Sequence, residues 1–145
     1  CGKVICTGCI YAMDEEAHGR RKIGLCAFCR KPKPSSDEEN IKRLKILVEA
    51  DHAYAFFILG GCYAQGIMGM PRDFAKANEL WIKAGELGYA EGYCNLGYSY
   101  RIGRGVEVDE KKAKYYYELA ARAGNLEARH NLGCAELEAG NEHRA

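Results

Sequence analysis

A repeat of 36 to 37 residues in the last two thirds of the sequence constrains the fold more than any other feature. A Leu-Gly pair recurs at intervals of 37 and 36 residues, and a small residue precedes each leucine by four positions. The three pairs are Leu59-Gly60, Leu96-Gly97 and Leu132-Gly133, and the small residues are Ala55, Gly92 and Ala128. In the second half of the unit, Trp81 corresponds to Tyr117 and Ala84 to Ala120.

Two helical stretches within a period of this length are typical of a helix-turn-helix solenoid, in which each unit packs mainly on its neighbours. Small residues let adjacent helices approach closely, and the leucines with Trp81 or Tyr117 fill the space between them. We therefore predict a mostly α fold over residues 52–145, an α-solenoid of about two and a half repeats. A small zinc-finger module should precede it.

Turn and cap signals divide each repeat into two helices. Segments 66–71 and 103–107 are rich in helix breakers, and Asp73 and Asp109 follow them as N-terminal caps of the second helices. The third unit reaches Ala145 just as residues 142–144 should start its second helix. We expect its apolar face to lack a partner and the C-terminus to be a truncation point.

A linker helix should occupy residues 35–51. Pro32 and Pro34 mark the boundary before it, because proline disfavours helix in its own and the preceding residue. Ser36 and Glu39 form a capping-box pattern. One apolar stripe should then run to about Asp51, formed by Ile41, Leu44, Ile46, Leu47 and Val48.

Residues 1–34 contain two CxxC pairs, Cys6 with Cys9 and Cys26 with Cys29. Two residues between thiolates let a tight turn direct both sulfurs at one ion, so this doubled spacing favours Zn²⁺ as the cofactor. A structural disulfide and a redox pair are the competing interpretations, although no βαβ pattern supports redox chemistry. The segment has few apolar residues, and a structural zinc would supply the free energy for its folding.

The distribution of charge indicates which classes of partner are favoured, and the cysteines indicate the cellular compartment. Residues 1–34 carry a net charge of +4 and the remainder −3, for a total of +1. No aromatic-flanked basic groove or basic helical stripe accompanies the positive segment, so nucleic-acid binding is not favoured. Cys62, Cys94 and Cys134 stand singly on apolar helical stretches, where free thiols behave as small hydrophobes. Free and zinc-bound thiols indicate an intracellular location, cytoplasmic or nuclear.

Membrane insertion is not indicated. The longest apolar stretch, residues 53–64, is shorter than the roughly 20 residues that a membrane-spanning helix needs. No signal peptide is visible. Because the chain opens at Cys1 rather than methionine, we expect it to be a fragment.

The repeats resemble the Sel-one-like repeat family of tetratricopeptide-related α-solenoids, over residues 51–145. The matching signatures are Leu96-Gly97-Tyr98-Ser99-Tyr100, Gly103-Arg104-Gly105-Val106, Asp109-Glu110-Lys111-Lys112-Ala113 and Tyr117-Glu118-Leu119-Ala120-Ala121-Arg122-Ala123-Gly124. Unit 3 departs from the pattern with Glu136 at the position of Tyr63 and Tyr100. The resemblance implies a scaffold that binds other proteins.

The N-terminal segment resembles the later portion of a RING finger, with Cys1, the two CxxC pairs and Arg30 in matching order. The resemblance implies a cross-brace in which Cys6 and Cys9 hold one zinc while Cys1, Cys26 and Cys29 hold another. Lys3 stands where the family has a histidine ligand, and a protonated lysine has no lone pair to donate. A zinc-ribbon-like knuckle, with Cys6, Cys9, Cys26 and Cys29 around one ion, is the alternative.

Two functions follow from these resemblances. The first is a zinc-binding protein-protein interaction scaffold without catalytic groups. The second is a RING-type ubiquitin ligase whose repeats recruit substrate and whose zinc module orients a ubiquitin-conjugating enzyme, which is catalysis by positioning. By family resemblance, Arg30 would contact ubiquitin and its carrier, although Ala27 replaces a proline common in that knuckle.

Tyrosines are the candidate partner-binding residues of the solenoid, because tyrosine is favoured at binding hot spots. Three consecutive helical positions cannot all face inward, so at least one residue of the run 115–117 should be exposed. We predict Tyr98, Tyr115 and Tyr116 as partner-binding residues. Core packing is the competing interpretation for each of them.

Overall fold

The structure, a computed structural model, describes residues 36–142 and the side chains of residues 36–137. Within this range the chain forms six helices and no strand. They are α1 (Asp37–Glu49), α2 (Ala53–Gln65), α3 (Phe74–Glu86), α4 (Ala90–Ile102), α5 (Glu110–Arg122) and α6 (Leu126–Glu142). None of the helices in the described range is long and apolar enough to cross a membrane.

Each helix packs against the next one along the chain, which is the arrangement of an α-solenoid. Helices α2 and α3 form the first hairpin, α4 and α5 form the second, and α6 packs on α5. The predicted helical solenoid is therefore confirmed over this range. The predicted zinc module, residues 1–34, lies outside the described residues.

The sequence signals at the helix ends work as predicted. The side chains of Asp73 and Asp109 accept hydrogen bonds from the backbone N–H groups of Lys76 and Lys112, both at 3.0 Å, and so cap α3 and α5. Gly66 follows the last residue of α2 and Gly103 that of α4, and both glycines lie in the left-handed region at φ 69° and 74°.

The core is built from one contact that both hairpins repeat. The indole of Trp81 on α3 packs on Gly60 of α2, and the ring of Tyr117 on α5 packs on Gly97 of α4. Trp81 and Tyr117 are both buried. The alanines that correspond between the two hairpins, Ala77 and Ala113 with Ala84 and Ala120, are buried as well. The repeat in the sequence is thus a repeat of packing positions.

Helix α1 covers the outer side of α2 and differs in detail from the prediction. The Ser36 hydroxyl accepts a hydrogen bond from the Glu39 N–H at 3.3 Å, as the capping pattern indicates. Leu44 and Leu47 are fully buried, but the predicted stripe residue Ile46 is exposed. Ile46 lies more than 90° around the helix from Leu44 and Leu47, so it turns away from α2. The helix ends at Glu49, two residues earlier than predicted.

The prediction that a turn ends the first helix of unit 3 before residue 142 is wrong. Helix α6 continues through Ala139, the position that corresponds to Gly66 and Gly103, and ends at Glu142. Alanine, unlike glycine, does not favour the left-handed conformation that Gly66 and Gly103 adopt after α2 and α4. In the described part of the chain no later helix packs against α6. A Cβ added to Gly133 would accordingly meet no atom within 4 Å, unlike one added to Gly60 or Gly97.

The three corresponding glycines provide a direct test of the packing. A Cβ on Gly60 would lie 2.6 Å from Nε1 of Trp81, and a Cβ on Gly97 would lie 2.8 Å from Cδ1 of Tyr117. We expect Gly60→Ala and Gly97→Ala each to lower the free energy of unfolding by about 1–3 kcal/mol, the usual cost of overpacking. Urea denaturation followed by circular dichroism measures this change.

Gly133→Ala is the matched control, because the added methyl group meets open space. It should leave the stability unchanged or raise it by up to about 1 kcal/mol through the higher helix propensity of alanine. Equal effects of all three substitutions would show that the aromatic contacts do not determine the spacing of the helices.

Candidate partner-binding groove

A groove of about 790 Å³ lies along α2 and α4. Helices α2 and α4 contribute most of its lining, and two residues of α3, the two intra-hairpin turns and one residue of α6 complete it. The lining residues are Phe57, Ile58, Gly61, Cys62, Ala64, Gln65, Ile67, Met68, Arg72, Phe74, Trp81, Cys94, Asn95, Tyr98, Ser99, Arg104 and Glu127. We refer to this site as the α2–α4 groove.

The repeat explains why these two helices line the groove. Ile58 and Gly61 on α2 correspond to Asn95 and Tyr98 on α4, 37 residues later, so the same face of each helix is presented. Gly61 has no atom within 4 Å of an added Cβ. The absence of a side chain at Gly61, where the next unit has Tyr98, opens space in the groove.

The floor of the groove is apolar and continuous with the core. Trp81 reaches across from α3, and its Nε1–H donates a hydrogen bond to the backbone oxygen of Phe57 at 3.3 Å. Phe57 also contacts Tyr54 and Tyr89, with ring centroids 6.3 and 5.0 Å away. This bond and these ring contacts hold the floor in place.

Two thiols line the groove in their protonated form. Burial raises the pKa of Cys62 to about 11 and that of Cys94 to about 12, and negative charge from acidic side chains adds to the effect. The Cys62 sulfur lies 3.7 Å from the sulfur of Met68. Because the thiolate is the nucleophile, these cysteines serve as apolar packing groups, as predicted, rather than as reactive ones.

One end of the groove carries arginines interleaved with aromatic rings. Arg104 lies over both Phe74 and Tyr98, with its guanidinium carbon 5.5 and 5.4 Å from the two ring centroids. Arg72 lies 5.6 Å from the Phe74 centroid and Arg101 lies 5.3 Å from the Tyr98 centroid. We call these five residues the arginine rim. Cation–π contact of this kind holds a guanidinium in a defined place.

The structure separates the tyrosines predicted to bind a partner. Tyr98 is 38% exposed and lines the groove. Tyr115 and Tyr116 lie on α5 and do not line it. Tyr116 stacks on Tyr100 and Tyr93 of α4, with centroids 5.5 and 6.0 Å away, and Tyr115, 56% exposed, touches Tyr116 at its edge. The three predicted residues therefore do not form one surface.

The remaining predicted site residues lie outside the described residues. They are the metal ligands Cys1, Cys6, Cys9, Cys26 and Cys29, and Arg30. Among the described side chains, residues 36–137, no three His, Cys, Asp or Glu side chains come together in a way that would hold a metal ion.

Sequence reasoning missed the arginine rim. Arg72 and Arg104 lie in breaker-rich turns, and only the folded turns bring them over Phe74 and Tyr98. The sequence contained one signal for the groove, the alignment of Gly61 in one repeat with Tyr98 in the next. A glycine where the next repeat has an aromatic residue indicates that this face of the helix is unevenly filled.

Comparison with known proteins identifies the repeats. The family model described as Sel1 repeat matches residues 48–89 and 90–125. The Arabidopsis thaliana protein named ERAD-associated E3 ubiquitin-protein ligase component HRD3A is 29% identical over 112 residues, covering 74% of this chain and 16% of that protein. The chain spans less than a fifth of the length of this relative and of a second one from Arabidopsis thaliana, HRD3B, at 16% and 18% respectively.

Solved structures agree with this comparison. The Sel1 repeat protein from Oxalobacter formigenes superposes with a TM-score of 0.64 at 30% identity, over 68% of this chain and 40% of that one. Cysteine-rich protein B of Helicobacter pylori gives a TM-score of 0.63 at 29% identity, over 67% of this chain and 72% of that one.

The groove thiols give a pH-dependent prediction. At pH 8 a thiol of pKa about 11 is ionised to only about one part in a thousand, so iodoacetamide should alkylate Cys62 and Cys94 slowly. The rates should rise about tenfold per pH unit while the pH stays below the pKa and the fold is intact. Peptide-level mass spectrometry follows each cysteine separately.

Cys134 is the internal reference, because its sulfur is less buried than those of Cys62 and Cys94. It should react first in the folded protein, and all three should react alike in denaturant. Labelling of Cys62 or Cys94 as fast as that of Cys134 in the folded protein would contradict the conclusion that Cys62 and Cys94 are buried, protonated thiols.

Proposed function

Because the chain belongs to the Sel1 repeat family, we propose that it acts as a protein-binding scaffold and holds a segment of its partner in the α2–α4 groove. The observation that carries the proposal is the groove itself. It is large, lined by two successive repeats, and its exposed aromatic residue, Tyr98, belongs to a type favoured at binding hot spots.

The chemistry of the groove favours binding over catalysis. Its lining contains a single carboxylate, Glu127, and the two thiols Cys62 and Cys94 are held protonated by burial. Neither thiol has an activated form at neutral pH. Apolar side chains with a few polar groups are what a recognition site needs.

For residues 1–34 we propose a zinc-binding module, on the strength of the CxxC spacing. Cys6, Cys9, Cys26 and Cys29 would ligate Zn²⁺, with Cys1 added if the arrangement is a RING-like cross-brace. Zinc would supply the folding free energy of a segment with few apolar residues.

A reducing intracellular location, cytoplasmic or nuclear, fits this proposal. Zinc-bound thiolates persist where thiols stay reduced. Cys62, Cys94 and Cys134 are free of disulfides in the structure, which agrees with such an environment.

A RING-type ubiquitin ligase is the second candidate function. The name of the Arabidopsis relative, which describes a component of an E3 ubiquitin-protein ligase, favours it, together with the RING resemblance of residues 1–34. In this version the groove recruits the substrate, while the zinc module and Arg30 dock a ubiquitin-conjugating enzyme.

The scaffold proposal predicts that filling the groove abolishes partner capture. Gly61→Trp places an indole in open space within the groove, so the fold should persist while partner binding is lost. The measurement is a pulldown from the extract of the protein's own cells, with the natural full-length protein as bait and quantitative mass spectrometry as readout.

Lys114→Trp is the matched control, since Lys114 is exposed on α5 and does not line the groove. Partners of the wild type should be retained by Lys114→Trp and lost by Gly61→Trp. Capture of the same proteins by all three baits would contradict binding in the groove.

The zinc proposal predicts about one or two zinc ions per chain in protein purified under reducing conditions. Cys6→Ser with Cys9→Ser should remove all zinc if one ion is shared, and only part of it if there is a cross-brace. Cys62→Ser with Cys94→Ser is the control and should retain all the metal. Elemental analysis of the purified chains measures this, and a wild-type chain without zinc would refute the proposal.

The ligase candidate predicts autoubiquitination by the natural full-length protein with at least one member of a panel of ubiquitin-conjugating enzymes. Arg30→Ala should reduce the rate without loss of zinc. Absence of autoubiquitination with every conjugating enzyme would eliminate this candidate function and would not affect the scaffold proposal.

A further inference from the structure

The arginine rim places three positive charges at one end of the groove: Arg72 and Arg104 line it, and Arg101 lies beside it on the ring of Tyr98. Arg72, Arg101 and Arg104 alternate with the rings of Phe74 and Tyr98. We propose that the rim binds acidic side chains of a protein segment whose neighbouring apolar residues lie in the groove. The inference rests on the proposed function and specifies the chemistry of the partner.

The charges of the rim have no carboxylate partner among the described residues. Four ion pairs join two described side chains, and each is a local contact along one helix or its cap: Arg43 with Glu39, Lys83 with Glu86, Lys112 with Asp109 and Arg122 with Glu118. Three guanidinium groups held near one another repel, and a partner that brings negative charge relieves that repulsion.

The backbone of Arg104 is held in place before any partner binds. The side chain of Asn78, 4% exposed, donates a hydrogen bond from Nδ2 to the Arg104 carbonyl oxygen at 2.7 Å. Gly105 packs so closely on the start of α3 that an added Cβ would lie 2.6 Å from the backbone nitrogen of Ala75. Little conformational freedom of this turn is then lost on binding, which favours affinity.

The contact with aromatic rings leaves the guanidinium groups able to bind. A guanidinium donates its N–H groups in its own plane, and a ring covers only one face of that plane. The N–H edges can then pair with carboxylates, often through two parallel hydrogen bonds. Substitution by lysine would lose both the stacking and the paired geometry.

The surroundings favour an acidic protein segment over a nucleic acid. The rim adjoins an apolar floor that includes Phe57, Ile58 and Trp81, which suits aliphatic or aromatic side chains. Residues 35–145 carry a net charge of −3, so the solenoid as a whole would repel an extended phosphate backbone. Positive charge limited to one end of an apolar groove matches a short segment with apolar and acidic residues side by side.

The experiment uses three labelled synthetic peptides and the full chain. Each peptide has the same central run of leucine and phenylalanine, and the flanks are glutamate, glutamine or lysine. Fluorescence anisotropy gives the dissociation constants. We expect the glutamate peptide to bind about tenfold more tightly than the glutamine peptide, as charged hydrogen bonds do, and the difference to shrink at high salt.

The rim variant is Arg72→Gln with Arg104→Gln, and the control is Lys111→Gln with Lys114→Gln, which removes the same charge from the exposed side of α5. Circular dichroism verifies that both variants are folded. The rim variant should bind the glutamate and glutamine peptides equally, with the affinity of the glutamine peptide unchanged. The control should keep the full preference.

Three outcomes would overturn the inference: equal affinity of wild type for the glutamate and glutamine peptides, no binding of any peptide, or tighter binding of a labelled single-stranded oligonucleotide than of the glutamate peptide. Gly61→Trp separates this failure from that of the proposed function. Suppose that wild type binds the glutamine and glutamate peptides equally well and that Gly61→Trp abolishes binding of both. The groove then binds protein segments without a preference for acidic side chains.

Discussion

The close approach of an aromatic ring to a glycine on the preceding helix is the contact on which the stack depends. Trp81 on Gly60 and Tyr117 on Gly97 leave no room for even one methyl group between the helices of a hairpin. The ring fills the space that the missing side chain leaves, so the helices pack at native density. Because the contact recurs at the same positions, the helices of both hairpins present the same faces, and the groove along α2 and α4 follows from that alignment.

Sequence alone predicted the positions that repeat and missed those that do not. The spacing of Leu-Gly pairs identified the hairpins, and Asp73 and Asp109 were recognisable as caps, because a short side-chain acceptor at the start of a helix acts locally. Ile46 was mispredicted because it lies more than 90° around the helix from the buried Leu44 and Leu47. The turn before residue 142 was mispredicted because Ala139 stands where the earlier units have a left-handed glycine. The rim could not be predicted, since Arg104 and Phe74 are 30 residues apart and meet only through tertiary packing.

Within one chain, core positions that recur from unit to unit stand beside groove positions that differ. Several buried positions keep their residue type from unit to unit, as Ala77 and Ala113 do. The positions that face the groove change freely, as Gly61 and Tyr98 do. An exposed side chain that faces the groove, such as Tyr98, can differ between units with little cost to the core. This freedom lets a solenoid adapt its surface while it keeps its helices in register.

The hydrogen bond from Asn78 to the Arg104 carbonyl joins the two hairpins at a point where the repeat is broken. Lys114 occupies the position of Asn78 in the next unit and is exposed, and among the described side chains it makes no hydrogen bond like that of Asn78. The two hairpins are therefore not interchangeable modules. Gene duplication of the second hairpin would preserve the helical stack. The junction between its two copies would nevertheless have a lysine where the first junction has Asn78, and the new turn would lack the hydrogen bond that Asn78 donates.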